Sequence, residues 1–311
     1  MEEILRVRKA TKIYKNKKAL DEVDIDLSEG EILGIIGESG SGKTTLAKCI
    51  VGMERVTSGK ISYKGDDVYK RIKKDKLNFY KDIQMIFQNP YEVFDTRMKI
   101  IDLLEETAKL HKIGRDQGER FEIYENLFKK ASLLPTEDYF KRYPGELSGG
   151  QLQRIAIIRS MLLNPKILIA DEPITMLDIS VRADIINLLL DLKKEKGLSI
   201  IFISHDLATT GFISDKLAVI YLGQIVEEGR TEDIIENPSH PYTKALLDSS
   251  IAFEKEKVVY KGESLLNKKD SLENKGCKFK DRCPLVMDYC YNNEPDLREF
   301  ENKRVRCFRY R

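Results

Sequence analysis

A glycine-rich loop at residues 37–44, with the sequence GESGSGKT, constrains this chain more than any other feature. It fits the pattern G-x-x-x-x-G-K-[ST], in which glycines let the backbone curl until successive N–H groups point at phosphate oxygens. An apolar run at residues 32–36 precedes the loop, and a predicted helix at residues 44–51 follows it. The dipole of that helix also favours an anion. This context predicts a nucleoside triphosphate site rather than a chance glycine-rich turn.

The residues of this loop are the predicted ligands of a nucleoside triphosphate. Lys43 is expected to reach the β- and γ-phosphates, and the Thr44 hydroxyl is expected to ligate Mg²⁺. A nucleoside triphosphate and Mg²⁺ are therefore the predicted ligands. The nucleotide-binding set in and beside the loop is Gly37, Ser39, Gly40, Ser41, Gly42, Lys43, Thr44 and Thr45.

Two adjacent carboxylates follow another apolar run. Residues 167–170 read ILIA and are followed by Asp171 and Glu172. At the end of a buried strand, Asp171 can hold Mg²⁺ directly or through water. Glu172 points to a different side and can polarise an attacking water as a general base. Two solvated acids after a strand are the alternative interpretation, which the nearby phosphate loop disfavours.

Alternating strand-like and helix-like runs predict an α/β core with a largely parallel sheet. Short apolar runs that end at polar residues are typical of buried parallel strands. A helical insertion is predicted at about residues 90–162, because apolar residues recur there at helical spacing. The predicted strands are 32–37, 166–170 and 199–204, and the predicted helices include 100–110, 120–131 and 179–196, the last capped by Gly197.

Charge and hydropathy restrict the setting in which the chain works. It has 53 basic and 51 acidic residues, a net charge of +2, so nothing in the balance indicates a nucleic-acid partner. No apolar run approaches the roughly 20 residues that span a bilayer. The first residues, MEE, do not resemble a signal region. We therefore expect a cytosolic chain that acts at a membrane only through partners.

A short motif at residues 147–151, LSGGQ, followed by Gln153 and Arg154, resembles the ATP-binding cassette (ABC) family. The resemblance implies a P-loop NTPase cassette with a RecA-like core, an antiparallel β subdomain and a helical insertion. It also implies that the nucleotide is ATP, and that Ser148, Gly149, Gly150 and Gln151 form a second anion-binding device at a helix start. The helix itself is predicted from Gln151 onward. In a head-to-tail dimer, that device would close over ATP held by the other subunit.

Further elements of the family occur in the expected order. The resemblance implies that Tyr14 stacks on adenine and that Gln88 senses Mg²⁺ and the membrane partner. It implies that Asp178 communicates across the dimer and that His205 contacts the γ-phosphate. Glu172 and His205 are therefore the predicted catalytic residues, with Thr44, Gln88 and Asp171 at the magnesium ion.

Four of the five cysteines cluster near the C-terminus: Cys277, Cys283, Cys290 and Cys307. In a reducing compartment such a cluster indicates a metal or iron–sulfur site before it indicates disulfides. Residues 253–307 are rich in charged residues and poor in strand or helix periodicity. We therefore expect a domain boundary near residue 251, between a nucleotide-binding domain at 1–250 and a cysteine-bearing extension at 251–311.

The sequence NPSHPYT at residues 237–243 resembles the H-P-Y-T element of oligopeptide and dipeptide importer ATPases. That resemblance implies a [4Fe–4S] cluster on the four cysteines, with zinc or free thiols as alternatives. FQNPY at residues 87–91 further resembles the second, F-type ATPase subunit of these importers.

The resemblance also implies an assembly and a role. The implied partners are a second related ATPase subunit in a heterodimer or homodimer, two transmembrane permease subunits and an extracytoplasmic substrate-binding protein. The implied function is hydrolysis of ATP at the cytoplasmic face of the membrane to drive import of di- or oligopeptides. Oligosaccharides or nickel are the alternative substrates.

Two other classes of ABC protein fit the sequence less well. Soluble ABC proteins of translation or DNA repair usually carry two cassettes or a long coiled coil, and this chain shows one cassette and neither addition. A non-hydrolysing regulatory cassette is disfavoured because both Glu172 and His205 are present.

Overall fold

The chain divides into two compact units. The structure, a computed structural model, describes residues 2–15, 17–254 and 275–310. One unit, called here the sheet unit, consists of Glu2–Asp67 and Phe202–Arg311. The other, called here the helical unit, consists of Val68–Ile201.

The strands follow the alternation of apolar and polar residues. Fully apolar runs form strands that are buried throughout, as at Ile32–Ile36, whereas the first strand alternates between buried and exposed residues. In chain order the strands are β1 Glu3–Tyr14, β2 Lys17–Ser28, β3 Ile32–Ile36, β4 Ser58–Tyr63, β5 Asp66–Asp67, β6 Ile83–Ile86, β7 Ile167–Asp171, β8 Ser199–Ser204, β9 Lys216–Tyr221, β10 Gln224–Arg230, β11 Arg298–Phe300 and β12 Lys303–Val305.

The sheet unit contains an antiparallel sheet and a mixed set of strands. The antiparallel sheet has the order β2-β1-β4-β5 and supplies the β subdomain implied by the sequence. In the mixed set, β3 pairs in parallel with β9, which pairs antiparallel with β10. The hairpin β11–β12 adds to β10 in antiparallel fashion. In the helical unit, β6 and β7 are parallel, and β8 crosses the division between the units.

The helices lie close to the predicted positions. They are α1 Lys43–Ile50, α2 Val68–Lys74, α3 Lys76–Asp82, α4 Ile100–Leu110, α5 Gln117–Lys130, α6 Thr136–Phe140, α7 Gly149–Met161, α8 Ile179–Lys196, α9 Leu207–Ile213, α10 Thr231–Glu236, α11 Pro241–Glu254 and α12 Asp288–Asn292. Two 3₁₀ turns lie at Pro90–Glu92 and Pro144–Glu146. Among the described residues, no helix is long and apolar enough to cross a membrane.

Helix ends show where sequence patterns succeed. The bounds of α4 and α8 coincide with the prediction, and Gly197 ends α8 in the left-handed conformation with φ 62°. Helix α5 begins three residues earlier than predicted. Its start is fixed by Asp116, whose carboxylate accepts a hydrogen bond from the Glu119 N–H at 2.9 Å.

The C-terminal region contains more regular structure than its sequence predicts. The short helix α12 and the hairpin β11–β12 lie in the segment expected to lack periodicity. Helix α11 runs from Pro241 to Glu254, across the predicted boundary at residue 251. Residues 255–274 and 311, which belong to the predicted extension, lie outside the described residues. The division into 1–250 and 251–311 stays a prediction.

An aromatic core in the sheet unit joins the end of β9 to the C-terminal region. Tyr221, Tyr242 and Phe279 are buried, with ring centroids 4.7 to 5.6 Å apart. Cys277 and Cys283 pack against the same cluster. Rings at these distances contribute packing energy beyond their buried area. Residues 275–310, called here the cysteine-bearing segment, are therefore part of the core of the sheet unit.

Candidate functional site

The phosphate loop connects buried β3 to helix α1 in the sheet unit. Gly42 has φ 111°, and a Cβ added there would lie 2.4 Å from the Ala19 carbonyl oxygen. Only glycine fits this position. The Ser41 carbonyl accepts a hydrogen bond from the Gly223 N–H at 2.8 Å, which anchors the loop to the turn between β9 and β10. The local backbone thus has the curl that the sequence predicts.

Lys43 is buried at the start of α1, although it carries a charge. Its Nζ donates to the carbonyl oxygens of Gly37 at 2.6 Å and Glu38 at 3.0 Å, so the ammonium lies inside the loop. The Ser41 hydroxyl oxygen is also buried and has no hydrogen-bond partner among the described residues. A buried cation and a buried hydroxyl in one glycine-rich loop suit a phosphate group.

Tyr14 lies at the end of β1, with about 40% of the residue exposed. Its hydroxyl interacts with Thr45 of helix α1, and partial burial raises the pKa of the phenol, with Glu54 adding to the effect. The Lys12 Nζ lies 4.8 Å from the ring centroid. The predicted adenine-stacking residue therefore lies beside the helix that follows the phosphate loop, with an accessible ring.

His205 directly follows β8 and is exposed. The next residue, Asp206, caps α9, since its carboxylate accepts a hydrogen bond from the Ala208 N–H at 3.0 Å. The Asp206 N–H donates to the Ser204 hydroxyl at 3.0 Å. These contacts fix the backbone on both sides of the histidine, which leaves its imidazole accessible from outside.

In the helical unit, Asp171 and Glu172 differ in environment. Asp171 is the buried last residue of β7, whereas Glu172 is partly exposed. Glu172 adopts φ 50°, an uncommon conformation for a residue with a side chain. Its carboxylate accepts a hydrogen bond from the Thr175 hydroxyl at 2.5 Å. Strained backbone of this kind is often found at functional positions, and no residue pattern around Glu172 predicts it.

Two residues with predicted communication roles are exposed. Gln88 lies just beyond the end of β6, before Asn89, whose side chain accepts from the Tyr91 N–H at 3.2 Å to start a 3₁₀ turn. Asp178 occupies the N-cap position of α8 without a side-chain cap. Both carry polar groups that are accessible for contacts outside their own unit.

The LSGGQ motif forms the beginning of helix α7. The Ser148 hydroxyl accepts from the Gln151 N–H at 3.3 Å, and the Gln151 side chain accepts from the Ser148 N–H at 3.1 Å. This capping box starts the helix at Gly149, two residues before the predicted start. A Cβ at Gly150 would lie 2.6 Å from a Val181 methyl group, so close packing against α8 requires glycine there.

The four C-terminal cysteines line one cavity, together with residues that include His240 and Phe279. All four thiols are free. Burial raises the pKa of Cys277 to about 11, and the other three cysteines add to the rise. Among the described residues, no group of three or more His, Cys, Asp or Glu side chains is arranged to hold a metal ion. The thiols thus share a cavity without forming a compact ligand group.

His240 lies at the wall of this cavity and is buried. Its Nδ1 accepts a hydrogen bond from the Tyr242 N–H at 3.1 Å, at the start of α11. Burial lowers the pKa of the imidazole to about 3, and the Arg306 charge adds to the effect. The ring is therefore neutral at ordinary pH, with Nδ1 engaged by the backbone.

Sequence reasoning missed a contact between the cysteine-bearing segment and the phosphate loop. Arg282 donates two hydrogen bonds to the Glu38 carboxylate, at 3.0 and 2.5 Å. The Glu38 N–H donates to the Tyr242 hydroxyl at 2.9 Å. The partners are separated by more than two hundred residues in sequence, so no local pattern could have paired them.

Comparison with known proteins identifies two families in the chain. Residues 20–175, about half of it, match the ABC transporter family, and residues 226–290 match the C-terminal region of oligopeptide/dipeptide transporters. The first match includes the phosphate loop and the LSGGQ motif, and the second includes the H-P-Y-T element and three of the four C-terminal cysteines.

Individual relatives align along nearly the whole length. The dipeptide transport ATP-binding protein DppF of Haemophilus influenzae is 41% identical over 94% of this chain and 89% of its own. The oligopeptide transport ATP-binding protein OppF of Salmonella typhimurium is 39% identical over 95% and 89%. Among solved structures, a dimeric ATP-binding cassette bound to ADP and Pi in a post-hydrolysis state matches with a TM-score of 0.66 and 26% identity, over 73% of this chain and 98% of its own.

Proposed function

This chain belongs to the ATP-binding subunits of ABC transporters, in the oligopeptide/dipeptide importer group, and we propose that its ATP hydrolysis drives import of di- or oligopeptides. ABC ATP-binding subunits are ATPases. The observation that carries the nucleotide assignment is the phosphate loop, where Lys43 is buried between loop carbonyls and Gly42 fits only without a Cβ. The names of the relatives support peptides over the alternative substrates, oligosaccharides and nickel.

The proposed nucleotide ligands act by position and charge. When ATP binds, the Lys43 ammonium donates hydrogen bonds to phosphate oxygens in place of the loop carbonyls. The buried Ser41 hydroxyl gains a phosphate oxygen as its acceptor. The residues that would hold Mg²⁺ are Thr44, Asp171 and Gln88, and their hydroxyl, carboxylate and amide oxygens suit that ion. The ion would supply electrostatic stabilisation of the triphosphate.

Hydrolysis is assigned to Glu172 and His205. Glu172, a carboxylate at the end of β7 on strained backbone, acts as the general base that takes a proton from the attacking water. His205, exposed at the end of β8, contacts the γ-phosphate. Tyr14 stacks on adenine through its accessible ring.

Catalysis in this proposal requires two cassettes. The start of α7, from Ser148 to Gln151, carries backbone N–H groups that suit an anion, and a second subunit would present this face to the ATP. A related cassette is a dimer with ADP and Pi. The second subunit is a related ATPase or another copy of this chain, and an isolated monomer is expected to bind ATP and hydrolyse it poorly.

The proposed setting is the cytoplasmic face of the cell membrane. Two transmembrane permease subunits would receive the motion of the cassettes, with Gln88 at the contact. An extracytoplasmic substrate-binding protein would deliver the peptide. The two relatives described above are named as transport proteins, which favours transport over a role in translation or DNA repair.

A [4Fe–4S] cluster is the proposed occupant of the cysteine cavity. Four thiols line it, which is the donor set that such clusters use. A zinc ion or free thiols are the alternatives for the same four cysteines. The cysteine spacing lacks the paired C-x₂-C motifs typical of zinc sites, and this favours the cluster over zinc. The cluster would stabilise the small extension proposed at residues 251–311.

Transport by the reconstituted complex tests the proposed function. The chain, assembled with its permease and ATPase partners in vesicles, should accumulate a labelled di- or tripeptide only when ATP is supplied on the side of the cassettes. Lys43→Ala should abolish uptake, while Arg298→Gln, which alters an exposed ion pair, should not. ATP-dependent uptake of nickel or an oligosaccharide without peptide uptake would contradict the substrate assignment.

A further inference from the structure

The cysteine-bearing segment contacts the phosphate loop through a buried arginine. The Arg282 side chain is only 2% exposed, and its two-pronged contact with Glu38 ends on the second residue of the loop. The guanidinium also lies 5.3 Å from the ring centroid of Tyr221 and 5.7 Å from that of Phe279. Its position is therefore fixed by the aromatic core as well as by the carboxylate.

Glu38 is held from a second direction by the H-P-Y-T element. Its backbone N–H donates to the Tyr242 hydroxyl at 2.9 Å, and its carbonyl oxygen accepts from Lys43 at 3.0 Å. The residue that Arg282 binds thus also contacts the lysine predicted to bind phosphate. Displacing Glu38 would move the carbonyl that orients Lys43.

The same segment supports the other end of the loop. Lys278 donates to the Leu222 carbonyl at 2.9 Å and pairs with Asp21 at 2.7 Å. The adjacent Gly223 N–H donates to the Ser41 carbonyl at 2.8 Å. Two cations of the cysteine-bearing segment therefore support the loop, one directly at Glu38 and one through the turn that holds Ser41.

Charge explains why the contact matters for a nucleotide. A carboxylate inside a phosphate-binding loop repels the triphosphate unless a cation neutralises it. Arg282 supplies that cation from a buried position, where its attraction is screened less than at the surface. It can do so without occupying the phosphate site, because it approaches Glu38 from the core.

We propose that Arg282 is a positioning residue for nucleotide binding, which neutralises Glu38 and fixes the phosphate loop, so that the cysteine-bearing segment forms part of the ATP site. The inference rests on the proposed ATP-binding function. It gives the C-terminal segment a role in nucleotide affinity besides the stability of its own fold.

Affinity of the full chain for a fluorescent, slowly hydrolysed ATP analogue tests the proposal. Arg282→Gln leaves the Glu38 carboxylate without its buried partner, and we expect the dissociation constant to rise at least about tenfold. The matched control, Arg298→Gln, removes a charge from the same segment at a side chain that is 62% exposed, and it should leave the dissociation constant unchanged.

A double substitution separates neutralisation from a general loss of structure. In Glu38→Gln/Arg282→Gln the loop carboxylate is also absent, so affinity should recover at least about fivefold relative to Arg282→Gln alone. A purely structural role of the arginine would give no recovery. Equal affinity of parent and Arg282→Gln, or a double variant as weak as the single one, would overturn the proposal.

Folding and function are distinguished by two further readings. Thermal unfolding of each variant shows whether it is folded. If Arg282→Gln does not fold, Arg282→Lys, which keeps the charge but loses the fork, should still weaken binding by about threefold or more, and parent-like affinity would count against the proposal. A parent chain that does not bind the analogue would refute the ATP-binding function itself.

Discussion

The two glycines of the phosphate loop with positive φ offer a matched test of the loop geometry. Gly40 has φ 80° and open space where a Cβ would lie, whereas Gly42 has φ 111° and the Ala19 carbonyl oxygen 2.4 Å from that position. Alanine at Gly40 therefore costs only the left-handed conformation, about 1–2 kcal/mol. Alanine at Gly42 adds a collision with backbone, for which overpacking costs about 1–3 kcal/mol more.

The difference between the two alanine variants is measured as the sum of the changes in the free energies of unfolding and of nucleotide binding. The cost appears in the free energy of unfolding if the loop keeps its shape, and in nucleotide affinity if the loop rearranges. Urea denaturation without nucleotide and titration with the ATP analogue give the two parts. The summed loss of unfolding and binding free energy should be about 1–3 kcal/mol larger for Gly42→Ala than for Gly40→Ala. If the whole loss appears in nucleotide binding, it is equivalent to a factor of about five to 150 in affinity. Equal totals for the two variants would refute the loop geometry.

Three further predictions concern stability and the cysteine cavity. Burial depresses the pKa of His240 to about 3, so between that value and the unfolded pKa of about 6.5 the unfolded chain binds a proton that the folded chain does not; the stabilisation is therefore complete above about pH 6.5 and is lost as pH falls towards 3. Between pH 7 and 5 this histidine should lower the free energy of unfolding, measured by urea denaturation, by about 2 kcal/mol. His240→Asn should remove this pH dependence, and an unchanged pH dependence in the variant would mean that the ring is exposed in the folded chain. Phe128 is fully buried against Phe140, and Phe128→Ala should lower the free energy of unfolding, measured by urea denaturation, by about 3–5 kcal/mol. Phe212→Ala, at a residue that is 73% exposed, should lower it by less than about 0.5 kcal/mol. Similar losses in the two variants would contradict the assigned core. Anaerobically purified protein should absorb visible light and contain iron, and Cys283→Ser should lose both, while a colourless, iron-free parent would exclude the cluster.

The sequence predicts those helices and strands whose ends are determined by residues close by in the chain. Helix α8 matches because Gly197 can take the left-handed conformation that ends it. The apolar run of β8 matches because every one of its residues is buried. Helix α7 starts earlier than predicted because the Ser148–Gln151 capping box includes both glycines in the first turn. These features depend on residues close together in the chain.

Features made by distant residues could not be predicted in this way. The strand β12 has only three residues and forms because β10 offers an edge with which to pair. The contact between Arg282 and Glu38 depends on the aromatic core that brings residue 282 to the loop. The positive φ of Glu172 is set by the turn after β7, since glutamate itself does not favour it. Tertiary packing decides all three.

Phosphate release measures ATP hydrolysis with Glu172 as the general base most directly. The parent chain, assembled with its partner ATPase and permease subunits, should release phosphate from ATP, and Glu172→Gln should bind ATP with parent-like affinity while losing at least about a hundredfold in rate. Unchanged phosphate release in Glu172→Gln would contradict the assignment of the base, and no release by the assembled parent would contradict the ATPase itself.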